Sequence, residues 1–324
     1  MIRVVIEVLN TTFYFVLNMS LTASVIGLLL ILIRFIRYIP RFCIYTLWGL
    51  IFIRLIFPFF LSSEVSLLNL GRNYIKKILV VPVPISVPVS IPAKGNINFS
   101  ASNSIGVAQE YFPVTYKSDH IEKLFRTSSL VWIIGAAIAV FILIILYILS
   151  TTQLSNSIHI KDNIYVNDLV QAPMTFGILN QKIILSPRFK EDLEQLKYVL
   201  LHENVHIKRH DNLFRLMGIL TACIHWFNPL VWIFLILFLK DMELSCDSRA
   251  IRLLTKDERK SYAQALVNMG TGQKVFMSTS FNKNNIRGRV LNVLNYKKLT
   301  ATAFVLSLIF IVLATAVIFT NPVK

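Results

Sequence analysis

One five-residue pattern in the chain has side chains that could hold a metal ion. His202 and His206 are four residues apart in the segment LLHENVHIKRHD, so on a helix both imidazoles project from one face and can reach the same ion. Glu203 lies beside the first histidine, where its carboxylate can take a proton from a metal-bound water. Zinc lowers the pKa of such a water to about 7, which allows it to attack a peptide bond. The pattern therefore predicts a zinc protease site with Glu203 as the general base.

A catalytic zinc site needs a third protein ligand, and the segment KDMELSCDSRA offers candidates. Glu243 and Asp247 are four residues apart and share one helical face. We predict Glu243 as the third ligand and Asp247 as the acceptor for the second ring N–H of a ligating histidine. Cys246 could compete as a soft ligand, although it lies off that face. His210 continues the histidine stripe, but its basic surroundings are typical of a solvated helix end.

The residues before the motif predict a small sheet followed by the motif helix. The segments IHIKDNIYV and TFGILNQKIILS are short, alternating and rich in β-branched residues, with a turn at Asn180-Gln181. Ser186-Pro187 then provides a helix start, and FKEDLEQLKYVLLHENVHIKR has helical periodicity. Residues 150–299 are therefore expected to form a mixed α+β domain.

The composition places this domain in a membrane protein. Of the 324 residues, 55% are hydrophobic and only 15% are charged, which is outside the range of an ordinary soluble domain. Three cysteines provide no disulfide framework. Four apolar runs are long enough to be transmembrane helices, and they cover residues 12–33, 44–61, 129–149 and 300–320.

The net charge of +16 is explained better by membrane topology than by direct nucleic-acid binding. Basic residues crowd the first connection and precede the last span, which places both on the cytoplasmic side: Arg34, Arg37, Arg41, Lys297 and Lys298. The N-terminal unit is then 1–61, with residues 62–128 as an extracellular loop and 129–149 as the third span. Residues 150–299 become the cytoplasmic catalytic domain, and 300–324 the fourth span with a short outer tail.

Residues 213–239 form a further apolar stretch, which resembles a fifth span. A single crossing here would separate His202 from Glu243, so the zinc site requires this stretch to turn back. Asn228-Pro229 divides it into two pieces, which favours a membrane-associated helical hairpin that enters the inner leaflet or packs on the other spans. His225 within it is interpreted as structural. Arg54 in the second span is either a residue that reaches the interface or part of a local pair.

These segments together resemble a known family, the membrane zinc metallopeptidases of the beta-lactam sensor and signal-transducer type. The resemblance rests on LWGLIFIRLIFP, TFGILNQKIILSP, LLHENVHIKRHD, HWFNPLVW and ELSCDSRA, in that order. It implies an α-helical integral membrane protein with four transmembrane helices and an inserted α+β, gluzincin-like zinc metallopeptidase domain. It also implies zinc bound by His202, His206 and Glu243, and antibiotic-resistance signalling in which a cytoplasmic repressor protein is cleaved.

Similar family members continue after the fourth span into an extracellular penicillin-binding domain, whereas this sequence ends at Lys324. We therefore expect either a transducer without its sensor or a member whose stimulus arrives through the outer loop or an extracellular sensor partner. The sequence leaves open whether the chain forms a homodimer. It also does not decide whether the protease is latent or active.

The segment MSTSFNKNNIRGRVLNVL suggests self-processing. Phe281 supplies the apolar residue that thermolysin-like proteases favour after the cut bond, and the family resemblance points to the same region. We predict self-cleavage between Ser280 and Phe281.

Other readings remain open at this stage. Housekeeping membrane zinc proteases of the prenyl-protein and heat-shock types also pair this motif with a later E-x-x-x-D, but the HWFNPLVW element favours the transducer family. A catalytically idle scaffold would retain the fold and not the activity. A transporter would require polar residues throughout the spans, and these are sparse.

Overall fold

The computed structural model describes residues 2–36, 39–57, 61–62, 119–270, 281–296, 300–318 and 320–321. Most of the predicted extracellular loop and the predicted cleavage residue Ser280 lie outside these residues. Phe281 is described only as the first residue of a helix.

Four long helices provide the apolar part of the described chain, at the sites of the four predicted spans. They are α1 (Ile2–Arg34), α2 (Arg41–Ile56), α3 (Asp119–Ser155) and α10 (Ala301–Ile318). Two segments are long and apolar enough to cross a membrane by length and composition, Val8–Arg34 and Lys123–Ser155. The other two helices are shorter, and the 16 residues of α2 span about 24 Å.

The surface of α3 requires an apolar environment. Only 11% of its most apolar window is buried inside the structure, against 56% for α1. Large side chains such as Ile134, Phe141 and Ile148 are more than half exposed along it. A soluble protein rarely exposes so continuous an apolar surface, so this helix is suited to contact with lipid.

Helix α2 is the centre of the membrane-side core. Leu47, Trp48 and Ile51 are buried and pack in one cluster with side chains of α1 and of a later helix, α7 (Pro229–Ala250). Arg54 is also fully buried, which favours a local structural partner over a side chain that reaches the interface.

The apolar stretch after the motif folds as two antiparallel helices, α6 (Asp211–Ile224) and α7. Asn228 caps α7 by accepting a hydrogen bond from the Leu230 backbone N–H, and it donates to the hydroxyls of Ser20 and Ser24. The His225 imidazole is buried at the turn and lies 3.0 Å from the Leu55 carbonyl oxygen. The hairpin therefore packs against the other apolar helices, and its tip reaches the C-terminal end of α2.

The expected small sheet is present beside the motif helix. Its four strands are β2 (Ile158–Lys161), β3 (Ile164–Val166), β4 (Met174–Phe176) and β5 (Lys182–Leu185). Their order in the sheet is β2-β3-β5-β4, with β3 and β5 parallel and the other two pairings antiparallel. A separate short pairing joins β1 (Leu61–Ser62) in parallel to β6 (Thr320–Asn321).

The remaining helices pack around the sheet and the motif helix. Ile183, Leu185, Val199 and Leu266 belong to one buried cluster, which is the core of this part of the chain. The helices are α4 (Arg188–Glu191), α5 (Leu193–Arg209), α8 (Lys256–Gly270) and α9 (Phe281–Leu294), with a 3-10 turn at Ile251–Leu253.

A buried carboxylate fastens the hairpin to the first two helices. Asp241 on α7 is fully buried and accepts hydrogen bonds from Arg34 at 2.7 Å and from the Trp48 indole at 3.0 Å. A buried charge is stable only with partners. These contacts therefore hold α7 against α1 and α2 at the position of Asp241.

We predict that Asp241→Asn destabilises the protein by about 2 to 3 kcal/mol, because Arg34 loses its counter-charge. Thermal unfolding of the detergent-solubilised protein, followed by intrinsic fluorescence, would measure the change in Tm. Asp168→Asn is the matched control, since Asp168 is exposed. Equal Tm values for the two variants would contradict the fastening role.

Candidate metal centre

The motif helix α5 presents its histidines toward the interior. Asp192 caps its N-terminus by accepting a hydrogen bond from the Gln195 backbone N–H. The helix ends at His210, whose φ of 55° places it in the left-handed region, and His210 is exposed as expected for a helix end. His202 and His206 are only 2% and 6% exposed and project from one face.

Helix α7 brings Glu243 to the same point. The Nε2 atoms of His202 and His206 are 3.2 Å apart, and the carboxylate oxygens of Glu243 lie 3.4 Å and 3.6 Å from them. In a tetrahedral site with bonds of about 2.05 Å, two ligand atoms are about 3.3 Å apart. The three predicted ligands are therefore spaced as zinc would require.

The other ring nitrogen of each histidine faces a hydrogen-bond partner that fixes its tautomer. His206 Nδ1 is 2.6 Å from Asp211 Oδ2. His202 Nδ1 is 2.9 Å from the Tyr262 hydroxyl, which donates to Asp247 Oδ1, and Asp247 is itself 3.2 Å from the ring. With both Nδ1 atoms acting as donors, both Nε2 lone pairs converge. Two acceptors and a carboxylate at one point fit a bound cation.

A second ligand set would replace Glu243 with Cys246. His202, His206 and Cys246 offer ligand atoms that all lie within 4.8 Å of one another. The Cys246 sulfur, however, lies 3.6 Å from His202 Nδ1, the nitrogen already engaged by Tyr262, and it faces the His202 carbonyl oxygen at 3.5 Å. The carboxylate oxygens of Glu243 instead lie beside the two Nε2 atoms that face each other, so the geometry favours Glu243 over Cys246 as the third ligand.

Strand β4 holds the predicted general base. Thr175 donates from its hydroxyl to Glu203 Oε2 at 2.7 Å, and both side chains are buried. Asn212 in turn donates to the carbonyl oxygens of Thr175 and Gly177. Gly177 has a φ of +97°, and a Cβ there would lie 2.5 Å from the Asn180 carbonyl oxygen, so this turn requires glycine.

A cation from helix α9 occupies the edge of the site. The Arg289 guanidinium donates to both oxygens of Asp247 at 2.8 Å, in a bidentate pair. It also lies 3.1 Å from His202 Nε2 and 3.2 Å from Glu243 Oε2. Arg289 therefore contacts two acids and a histidine of the metal centre at once.

The charges of the cluster keep its acids ionised. Burial raises the pKa of a carboxyl group, but Arg289 and the neighbouring histidines hold the pKa of Glu243 well below its usual value. The pKa of Asp247 is lowered by the same arginine and by His202, against the effect of burial. Burial lowers the pKa of an imidazole, yet Cys246 and the adjacent acids raise those of His202 and His206.

The structure brings together four of the predicted residues, His202, His206, Glu243 and Asp247, and places the Glu203 side chain against Thr175. It also adds residues that the sequence did not predict. Asp211 follows the motif closely and, as a carboxylate one turn beyond His206, could have been considered as its partner. Thr175, Tyr262 and Arg289 come from distant elements and had no local signal.

The cluster consists of two motif histidines and a later acid, with a buried glutamate beside the first histidine in the motif. The chain belongs to the BlaR1 peptidase M56 family, whose model matches residues 14–293. The family implies peptidase activity.

Several curated relatives match part of the chain. A regulatory protein BlaR1 from Bacillus licheniformis is 29% identical over 136 residues, which are 40% of this chain and 23% of that protein. A regulatory protein BlaR1 from Staphylococcus aureus is 31% identical over 163 residues, 46% of this chain and 28% of the relative. A methicillin resistance mecR1 protein from Staphylococcus epidermidis is 29% identical over 100 residues, 30% and 17% of the two chains. The aligned regions span less than a third of each relative.

We predict that Glu243→Ala lowers zinc affinity by about 100-fold or more, since a two-ligand site binds zinc weakly, whereas Cys246→Ala retains the metal. Zinc content after dialysis against a graded chelator, measured by plasma mass spectrometry, distinguishes the two variants. If Cys246→Ala loses zinc and Glu243→Ala retains it, Cys246 is the ligand.

We also predict that Arg289→Ala lowers zinc affinity by about 10- to 100-fold, because Asp247 loses its bidentate partner and the support of His202 weakens. Chelator competition measures this, and Arg289→Lys should restore only part of the affinity, since lysine cannot form the fork. Arg287→Ala, an exposed arginine on the same helix, is the control. If the Arg289→Ala and Arg287→Ala variants bind zinc equally, Arg289 does not position the centre.

Proposed function

We propose that this chain is a membrane-bound zinc metalloendopeptidase that acts in signal transduction for antibiotic resistance. The observation that supports this proposal most directly is that the Nε2 atoms of His202 and His206 lie close to each other and to the Glu243 carboxylate. Glu203, which follows His202 in the motif, is buried. The family membership supports the peptidase activity.

Zinc held by His202, His206 and Glu243 would supply a water of lowered pKa at the site. Glu203 would serve as the general base and would pass the proton that it accepts to the leaving amine. Thr175 keeps the Glu203 carboxylate oriented, since it donates to one of its oxygens at 2.7 Å. Tyr262, Asp247 and Asp211 hold the two imidazoles in the tautomer in which each Nε2 is unprotonated.

The proposed arrangement has four transmembrane helices, α1, α2, α3 and α10, with the gluzincin-like domain on the cytoplasmic side. The parallel pairing of β1 with β6 supports it, because the two strands follow α2 and α10 and so place the C-terminal ends of both helices on one side. The exposed apolar surface of α3 supports a lipid environment.

The proposed substrates are the chain itself and a cytoplasmic repressor protein. The relatives are named as regulatory and methicillin-resistance proteins, which fits a role in signalling. Self-cleavage between Ser280 and Phe281 would cut the chain directly before α9, the helix that carries Arg289 to the metal centre. The signal would reach the protease from an extracellular sensor or through the outer loop.

We predict that Glu203→Gln retains zinc but slows self-cleavage and repressor cleavage by about 100-fold or more, because the amide cannot accept the proton of the attacking water. A small DNA-binding protein, where one is encoded beside this gene, is co-expressed as the candidate repressor and followed by immunoblotting, and peptide mass spectrometry locates cuts in the chain. Glu194→Gln on the same helix is the matched control, since Glu194 is exposed.

The outcomes separate the proposals. Identical intact chains in wild type and in Glu203→Gln would refute self-cleavage. Zinc binding without cleavage of either protein in the wild type would instead support a catalytically idle scaffold.

A further inference from the structure

A large cavity lies behind the motif helix, away from the metal. Its volume is about 2080 Å³, larger than the roughly 300 to 1,000 Å³ of most small-molecule pockets. The walls come from the connection between α1 and α2, from α5, α7 and α9, and from the start of α10. It is thus bordered by the ends of three of the apolar helices.

Helix α5 divides its two faces between the metal and this cavity. Leu201, Asn204, Val205 and Lys208 recur at helical spacing and line the cavity, whereas the two zinc-ligand positions point to the other side. The cavity is therefore separate from the catalytic cleft.

The described residues that line the cavity carry positive charge only. Seven of them are arginines or lysines and none of them is acidic. Arg34 and Arg209 are neutralised by ion pairs. Four others form no ion pair with an acidic group in the part of the chain that the structure describes: Lys208, Lys240, Arg249 and Arg252. A cavity with several uncompensated cations attracts an anion.

The same walls are apolar where they approach the membrane helices. Phe35 is 75% exposed and Leu253 is 78% exposed, and both line the cavity together with Phe42 and Phe304. These apolar side chains would not stabilise a bound soluble anion. A lipid, by contrast, has a charged headgroup for the basic residues and apolar acyl chains for these side chains. Basic pockets between membrane helices on the cytoplasmic side bind anionic lipid headgroups for this reason.

We propose that this cavity binds an anionic phospholipid of the inner leaflet, with its phosphate near Lys208 and Lys240 and its acyl chains along Phe35, Phe42 and Phe304. The proposal rests on the membrane arrangement proposed above and not on proteolysis. The bound lipid fills the space between the membrane helices and the back of the motif helix.

The test measures how tightly two lipids bind to the Glu203→Gln variant. This variant is used because self-cleavage cannot fragment it. Purified protein is titrated with phosphatidylglycerol or with phosphatidylcholine of the same acyl chains, and bound lipid is counted by native mass spectrometry. We expect phosphatidylglycerol to bind more tightly. Adding Lys208→Gln and Lys240→Gln should weaken it by about 20-fold, from the loss of two cations near the phosphate.

The matched control replaces Lys256 and Lys260, two exposed lysines outside the cavity, with glutamine and should leave binding unchanged. Equal binding of the two lipids, or equal losses in both double variants, would overturn the proposal. Displacement of phosphatidylglycerol by an equal concentration of glycerol phosphate would show a soluble-anion site instead. Unchanged lipid binding, with reduced repressor cleavage when Lys208→Gln and Lys240→Gln are made in the chain that retains Glu203, would assign the cavity to an acidic protein partner. Because lipid is counted directly, an inactive protease would not affect the result.

Discussion

The arrangement of the helices around the candidate metal centre depends on the contacts of one carboxylate, that of Asp247. From α7 it accepts a hydrogen bond from Tyr262 on α8 and a bidentate pair from Arg289 on α9, and it lies beside His202 on α5. A fully buried acid is stable only if such partners compensate it, so four helices must arrive at this point with fixed geometry. The position of His202, the first proposed zinc ligand, is therefore set by the tertiary fold as well as by the motif.

The second histidine is fixed from the membrane side. Asp211 binds the His206 ring with one oxygen and accepts from Tyr45 of α2 with the other. A shift of α2 along its axis would thus move a partner of a zinc ligand, without any change within the motif helix. Asp241 joins the same α2 to α7 through Trp48, so Glu243, two residues further along α7, is coupled to the same helix. The metal centre is in this way built against the apolar core and not apart from it.

The features that sequence could predict are those that short-range geometry determines. His202 and His206 were predictable because four-residue spacing on a helix aligns two side chains, and Glu243 with Asp247 for the same reason. The requirement that these ligands meet also predicted that the apolar stretch turns back at Asn228, and the structure has a turn there. Arg289 was missed because its contact with Asp247 spans 42 positions, and no local pattern encodes it. Asp211 was missed because only the left-handed residue His210 redirects the chain so that this carboxylate faces the ring.

The two faces of α5 contact two different environments, and the helix that joins them is rigid. Its inner face carries the two proposed zinc-ligand histidines, and its outer face, with Lys208, borders a basic cavity shared with the ends of α1, α2 and α10. A helix moves as a unit, because its backbone hydrogen bonds link every turn to the next. A change in the spacing of the apolar helices changes the wall opposite Lys208, and the same displacement reaches His206, which lies two residues before it on α5. A signal from the membrane therefore needs no separate relay element to reach the metal centre, since the motif helix itself borders both.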